Sequence, residues 1–316
     1  MPQKLIIDLD AGIGDAVAAV VALLDPELDV LALTATAGCV SGETATKNLQ
    51  AIVEQLDPPK RPRIGAASAD LGRGAPRGSD AFDRIVALNG PTGLGDCRFD
   101  VAELHNRRES SKMLIDLVRA NPHEIKLLTL GPLFNVSAAC EREPDFLNLL
   151  EGLYCLGGTL IEGGDVTATA EFNVYLDPEA AKSVLGSTEA KWLIPLDVSG
   201  RVVLPFETYN RIAHTPTRGA QLLAQFLPYA FRSHHQYLGV EGVLLREITA
   251  LGAISRPQYF RTQSGAVDVE LTGELTRGMT VFDRRPLSAA APNVTVVTEV
   301  DAPGMLEYIH QVLNLA

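Results

Sequence analysis

The sequence contains no apolar run near the roughly 18 residues that a membrane-crossing helix requires, so a helical span within it is excluded. Basic residues are scarce: 27 Lys and Arg against 39 Asp and Glu give a net charge of −12. That balance removes the clustered positive surface that nucleic-acid phosphates need, and it reads as a solubility feature. The four cysteines (Cys39, Cys97, Cys140, Cys155) lack the close spacing of a zinc knuckle or a disulfide framework. They read as reduced thiols of a cytoplasmic protein, and the first residues show no basic-then-apolar leader. Internal repeats, low-complexity tracts and a convincing linker are also missing. A single domain over residues 1–316 is expected, with 46% hydrophobic content to fill its core.

What the chain does have is concentrated in its first fifteen residues, MPQKLIIDLDAGIGD. The apolar run Leu5-Ile6-Ile7 meets Asp8 and Asp10, then a glycine-containing turn, Asp15 and the apolar stretch AVAAVVALL. Strand, turn and helix in that order open a parallel α/β unit, whose ligand site lies at the carboxyl edge of the strands. Three carboxylates gathered there repel one another unless a cation sits among them. A hard divalent ion with oxygen ligands is the simplest candidate. Two other readings of the stretch fit less well. Gly12 and Gly14 start a dinucleotide-binding fingerprint, but Val17 is too large for its third small position. The second strand then ends Thr34-Ala35-Thr36-Ala37-Gly38, without the acidic residue that fingerprint needs. Asp8-Leu9-Asp10 resembles the paired aspartates of haloacid-dehalogenase-type phosphatases, where Thr or Val follows two places on; Gly12 stands there instead.

Further strands are predicted at residues 29–38, 63–66, 125–130, 153–158, 191–197 and 293–300. Helices are predicted near residues 43–56, 110–120, 242–254 and 303–315, with another opened by Asp177 as N-cap and Pro178 in its first turn. Residues 68–106 read as one long loop, ordered only around Asn89-Gly90-Pro91-Thr92-Gly93-Leu94-Gly95. A helix over residues 218–236 is expected to be interrupted at Pro228. The alternation in VDVEL and MTVFD predicts paired strands between Gln258 and Arg285. The fold class is α/β, with a mostly parallel central sheet flanked by helices.

Six segments in order resemble the nucleoside hydrolase (inosine-uridine-preferring ribohydrolase) family over nearly the whole chain. Asp8, Asp10, Gly12, Asp15 and Ala16 match its opening D-x-D-P-G-x-D-D-A. Gly131-Pro132-Leu133 with Asn135, Gly157-Gly158, Ala170-Glu171-Phe172-Asn173 with Asp177 to Ala181, Leu196 to Ser199, and Glu270 to Asp283 follow. The resemblance implies a calcium ion at the strands' carboxyl edge, held by Asp10, Asp15, the main-chain carbonyl of Leu130 and Glu247. It also implies Asp10 as general base on the attacking water, and an N-glycosidic bond as the target. Glu171 and Asn173 match sugar-hydroxyl contacts, Asp165 stands where a further polar contact is expected, and Asp8 joins the substrate contacts. A nucleoside or related N-riboside is the implied partner, and a homodimer or homotetramer the implied assembly.

The departures from the family pattern cluster in the same site. Gly14 replaces an aspartate that accepts from a ribose hydroxyl, and Cys39 an asparagine that touches the sugar. Asn89 and Thr92 replace a histidine and an acidic or amide residue, and Arg246-Glu247 stands where the family has His-Asp. Glu for Asp adds one methylene to a metal ligand, which a flexible calcium shell absorbs. Arg for His removes a group that can pass a proton and installs one that stays charged. Three explanations stay open: a different N-riboside contacted by Arg246, a leaving group activated otherwise through His234, His235 or Tyr237, or a relative that binds a ribosyl ligand without turnover. Taken singly, each residue has a plainer reading. Asp8 would hold a loop, Asp15 would favour a helix N-terminus, Cys39 would be a packed side chain, and His234 and His235 would lie on the surface.

Overall fold

The computed structural model describes residues 1–68, 80–102, 107–285 and 290–315. Its centre is a sheet of eight strands: β1 (Gln3–Leu9), β2 (Leu28–Ala35), β3 (Arg63–Gly65), β4 (Ile125–Thr129), β5 (Gly152–Leu156), β6 (Lys191–Ile194), β9 (Phe260–Gly265) and β12 (Val294–Val300). The order across the sheet is β3-β2-β1-β4-β5-β6-β12-β9. Every pairing is parallel except that of β9, which closes one edge antiparallel to β12.

Side-chain alternation explains why helices cover both faces. Leu5, Ile7 and Leu9 of β1 point into one hydrophobic cluster, and Ile6 into another. The first cluster takes in α1 (Ile13–Leu24), α2 (Gly42–Leu56), α10 (Arg218–Leu238), α11 (Arg246–Ser255) and α12 (Ala302–Leu313). The second takes in α4 (Ser110–Ala120), α5 (Phe134–Arg142) and α7 (Pro178–Leu185). A strand buried on both faces needs apolar residues at successive positions, which is why β1 reads KLII rather than alternating with polar residues. Asp177 caps α7 through its side chain, accepting from the Ala180 amide at 2.8 Å, with Pro178 in the first turn.

Several expectations are corrected. Residues 80–89 are not loop: they form helix α3 (Asp80–Asn89). Residues 69–79 and 103–106 of the long stretch lie outside the described residues. Helix α10 runs unbroken through Pro228, because one missing backbone hydrogen bond is outweighed by packing against α1, α3 and α9 (Phe206–His214). Strand β6 stops at Ile194 and gives way to a helical turn, α8 (Leu196–Ser199). The paired strands are present as β10 (Val267–Val269) and β11 (Thr280–Phe282), antiparallel to each other. A second small pair joins β7 (Val203–Leu204) to β8 (Val243–Leu244). No helix among the described residues is long and apolar enough to cross a membrane.

Candidate active site

From β1 the sheet grows one way through β2 and β3 and the other way through β4, β5 and β6. The two strands at such a reversal leave a crevice outside their carboxyl ends, where no connecting loop crosses. Asp10 follows β1 at that crevice and Leu130 follows β4. A cavity enclosing about 880 Å³, part of it open to solvent, lies there. It is lined by Asp10, Gly14, Asp15, Cys39, Asn89, Leu130, Asp165, Glu171, Asn173, Arg246 and Glu247. Of the metal and substrate residues named from the sequence Asp8 is missing from this lining, as are Thr92, His235 and Tyr237 of the departures and alternatives.

Asp8 is the correction. Two residues before Asp10 on the same strand, it is fully buried beneath the crevice and does not line it. Its Oδ1 accepts from the Thr34 hydroxyl at 2.5 Å and the Asn135 amide at 2.8 Å. Burial above all pushes its carboxyl up to about 7. It braces β1 against β2 and the start of α5, so the plainer reading of this residue is the better one.

The turn after β1 is tightly specified. Ala11 takes a left-handed backbone (φ 57°), a conformation that costs an L-residue about 1–2 kcal/mol. The Asn48 amide holds its carbonyl at 3.0 Å. Asn89 accepts from the Ile13 amide at 2.8 Å, so it tethers the first turn of α1. Asp10 Oδ2 accepts from the Cys39 main-chain amide at 2.6 Å. Burial pushes the Cys39 thiol well up, with the Asp10 charge adding to it, so Cys39 is a protonated packing group and not a nucleophile. Thr92 does not line the cavity; its hydroxyl donates to the Gly95 and Cys97 carbonyls and shapes its own loop.

Asp15 does two things at once. Its Oδ2 accepts from the Gly12 amide at 3.0 Å and so closes the N-terminus of α1, as a first-turn carboxylate does. Its Oδ1 is buried with no partner. Burial first, then the neighbouring Asp10 charge, raises its carboxyl well above the usual range. Glu247, in the first turn of α11, is raised to about 7, mainly by burial. Gly14 explains how Glu247 reaches this place. A β-carbon at position 14 would lie 2.5 Å from Glu247 Oε1 and closer still to Oε2 and Cδ. The side chain missing at position 14 is therefore the room into which the longer glutamate extends its carboxyl group. Among the described residues, no three His, Cys, Asp or Glu side chains already stand as a closed metal-ligand cluster.

The rest of the cavity is better satisfied. Glu171 caps α6 (Phe172–Leu176), accepting from the Gly158 and Val174 amides, while burial and the Asp165 charge hold its carboxyl at about 8. Asn173 donates to the Leu130 carbonyl at 2.8 Å and the Leu156 carbonyl at 3.0 Å. The Leu130 oxygen keeps a second lone pair. Asp165 accepts from the Phe172 amide at 2.9 Å and from Arg246 Nη1 at 2.5 Å. Sequence reasoning missed Ile85 and Leu88, because the helix that carries them was read as loop; they line the cavity, as does Leu238 at the end of α10. His234 also lines it, contrary to its surface reading, whereas His235 is exposed and pairs with Glu241.

Comparison with known proteins places the chain in a family. The family described as inosine-uridine preferring nucleoside hydrolase matches residues 5–307. The chain is 30% identical to uridine nucleosidase 1 of Arabidopsis thaliana, covering 97% of this chain and 92% of that protein. It is 29% identical to the pyrimidine-specific ribonucleoside hydrolase RihA of Escherichia coli, covering 98% and 97%. A solved plant nucleoside hydrolase, 27% identical, superposes with a TM-score of 0.88 over 99% of both chains. With the crevice, its carboxylates and a match spanning nearly its full length, this chain belongs to the inosine-uridine preferring nucleoside hydrolase family.

Proposed function

We propose that this N-ribohydrolase cleaves the N-glycosidic bond of a ribonucleoside with Asp10 as general base and with a calcium ion bound beside it. Membership of the family makes the chain a nucleosidase-type enzyme; the ion and the role of Asp10 are the proposal. The observation that carries it is Asp15 Oδ1, a buried carboxylate oxygen left without a partner among acidic neighbours. An unpaired buried acceptor of that kind costs several kcal/mol unless a cation or donor meets it.

The donor set suits a hard cation. Asp10, Asp15 and Glu247 supply carboxylate oxygens and Leu130 a carbonyl, the mixture that Ca²⁺ accepts. When bound, the ion supplies Lewis-acid polarisation of oxygen atoms and lowers the pKa of water. The protein's own groups do the rest. Asp10, oriented by the Cys39 amide, takes the proton of the attacking water. The developing ribosyl cation is stabilised by the surrounding carboxylates, and Glu171 and Asn173 lie in reach of a sugar.

The test is ribose release from a panel of nucleosides. Turnover is expected to vanish on chelation, to return with calcium, and to drop about 10²–10⁴-fold in Asp10→Asn. Unchanged turnover in either arm overturns the proposal. Nucleoside binding without any ribose release would leave a ribosyl-binding relative instead.

A further inference from the structure

Two of the six segments that carry the family resemblance, Leu196 to Ser199 and Glu270 to Asp283, contribute one residue, Leu196, to the cavity lining. Polar groups of both turn instead to the loop that follows β5. Asp197, 6% exposed, takes three successive main-chain amides of that loop on one carboxylate. Its Oδ2 accepts from Leu160 at 2.7 Å, and its Oδ1 from Ile161 at 2.7 Å and Glu162 at 2.9 Å. Burial alone would raise this carboxyl, but the amide bonds outweigh it and hold it below the ordinary range, so Asp197 is an anion at neutral pH. The Thr280 hydroxyl holds the residue before them, donating to the Thr159 carbonyl at 2.7 Å and accepting from the Thr159 amide at 2.9 Å. Gly158 admits this contact: its backbone is left-handed (φ 71°), and a β-carbon there would lie 2.7 Å from Thr280 Cγ2.

The far end of the loop is fixed as well. Glu171 Oε2 accepts from the Gly158 amide at 3.0 Å, so residues 158 and 171 are tied across a closed loop. Inside it Gly164 lies against the main chain of Ala170, where a β-carbon would collide with the carbonyl. Among residues 159–170, Asp165 is the one that lines the cavity. Its two oxygens accept from the Phe172 amide and from Arg246 Nη1, so the place of the loop sets the place of both charged side chains.

Resting on the N-ribohydrolase reading, we propose that Asp197 is a positioning residue for nucleoside binding: without touching substrate, its carboxylate moors residues 160–162 and so fixes Asp165 and Arg246 in the cavity wall. A glycine-rich loop ordered before the nucleoside arrives spares binding the entropy of ordering it. The task needs a carboxylate, because three amide donors converge and both oxygens must accept. An asparagine offers one oxygen and turns an NH₂ group toward donors. The nearby cation does not compete for the side chain: Arg201 Nε donates to the main-chain carbonyl of Asp197 at 2.5 Å. The groups around Asp15 stand on other elements, after β1 and β4 and in α1 and α11, so the role of Asp197 is confined to the nucleoside side of the cavity.

The experiment measures KM and kcat of the full chain on uridine and inosine with calcium, for Asp197→Asn, Asp165→Asn and the double variant, with calcium affinity by calorimetry beside them. In Asp197→Asn, KM is expected to rise about 10–100-fold with kcat within about threefold of wild type, because a displaced wall weakens binding and leaves Asp10 in place. Asp165→Asn raises KM in the same direction. The double variant goes no more than about twofold beyond the larger single effect, because the anchor acts through the side chain it places. Asp197→Glu, which keeps the charge and both acceptor oxygens, recovers part of the loss. Thr280→Val removes the second mooring, raises KM in the same direction, and carries the same cycle with Asp165→Asn if Asp197→Asn does not fold. Effects that simply add in the double variant leave Asp197 a structural residue and overturn the proposal. A fall in calcium affinity, or in kcat with KM unchanged, overturns it by routing the effect through α11, which packs on α8. A wild-type chain that releases ribose from neither nucleoside overturns the hydrolase reading, and the positioning role with it.

Discussion

Two parts of one cavity treat their carboxylates in opposite ways. Around Asp165, every oxygen has a partner: an amide on one side, a guanidinium on the other. Around Asp15, three acidic side chains converge and one buried oxygen meets the Asp10 carboxylate with no donor of its own. The satisfied carboxylate acts as a strut that aims Arg246. The unsatisfied group carries a stored electrostatic penalty that a cation would relieve, and such penalties persist where binding repays them. Asp8 and Asp10, two residues apart at the end of one strand, differ in placement: Asp8 Oδ1 is tied to Thr34 and Asn135 below the crevice, and Asp10 opens into it.

Three experiments would break or sharpen that contrast. The largest effect is expected from Gly14→Ala on the unsatisfied side. A methyl group there displaces the Glu247 carboxyl, so calcium affinity measured by titration calorimetry falls about 10–100-fold. Fold stability without the ion is unchanged or higher, because Ala suits a helical position better than Gly by up to about 1 kcal/mol. Combining it with Glu247→Asp, which shortens the offending side chain, restores part of the affinity. Wild-type affinity in Gly14→Ala would show that Glu247 needs no such room.

On the satisfied side, Asp165→Asn breaks the strut and leaves calcium binding nearly intact. Urea denaturation is expected to show a loss of about 1–3 kcal/mol, the usual cost of removing the charged partner of a hydrogen-bonded cation. A drop in calcium affinity as large as that of Gly14→Ala would erase the distinction between the two parts.

The most gradual effect concerns pH. Glu171 ionises near 4.5 in an unfolded chain and near 8 in the folded one, where burial and then the Asp165 charge raise it. Between those values the native state holds a proton that the unfolded state has lost. Stability of the chelated protein therefore falls as pH rises from 4.5 through 8, by at most about 1.4 kcal/mol per pH unit for one proton. Glu171→Gln is expected to flatten that slope, read from denaturation midpoints across the range. A slope identical to wild type would assign the pH dependence to other groups.

Much of the architecture was legible in local pattern. The apolar run of β1, the wide apolar surface of α1, the Asp177-Pro178 cap and the spacing of β10 and β11 each follow from short-range rules of burial and turn chemistry. Helix α3 was not, because its flanks carry the glycines and charges of a loop and its apolar face is completed only by distant segments, α10 and the cluster around Phe134 and Phe172. Pro228 misled for a related reason: a local penalty of one hydrogen bond is small beside a long helix's tertiary contacts.

The sequence by itself determined which carboxylates, amides and glycines would stand at the ends of the strands, because alternation and capping are properties of neighbouring residues. Only the tertiary structure decided what each became. The reversal of strand order set Asp10 beside Leu130, the bare Gly14 admitted Glu247, and Asp165 claimed Nη1 of Arg246. The reason is electrostatic. A charged group's role depends on which partners share its low-dielectric surroundings, and here those partners come from segments far apart in the chain.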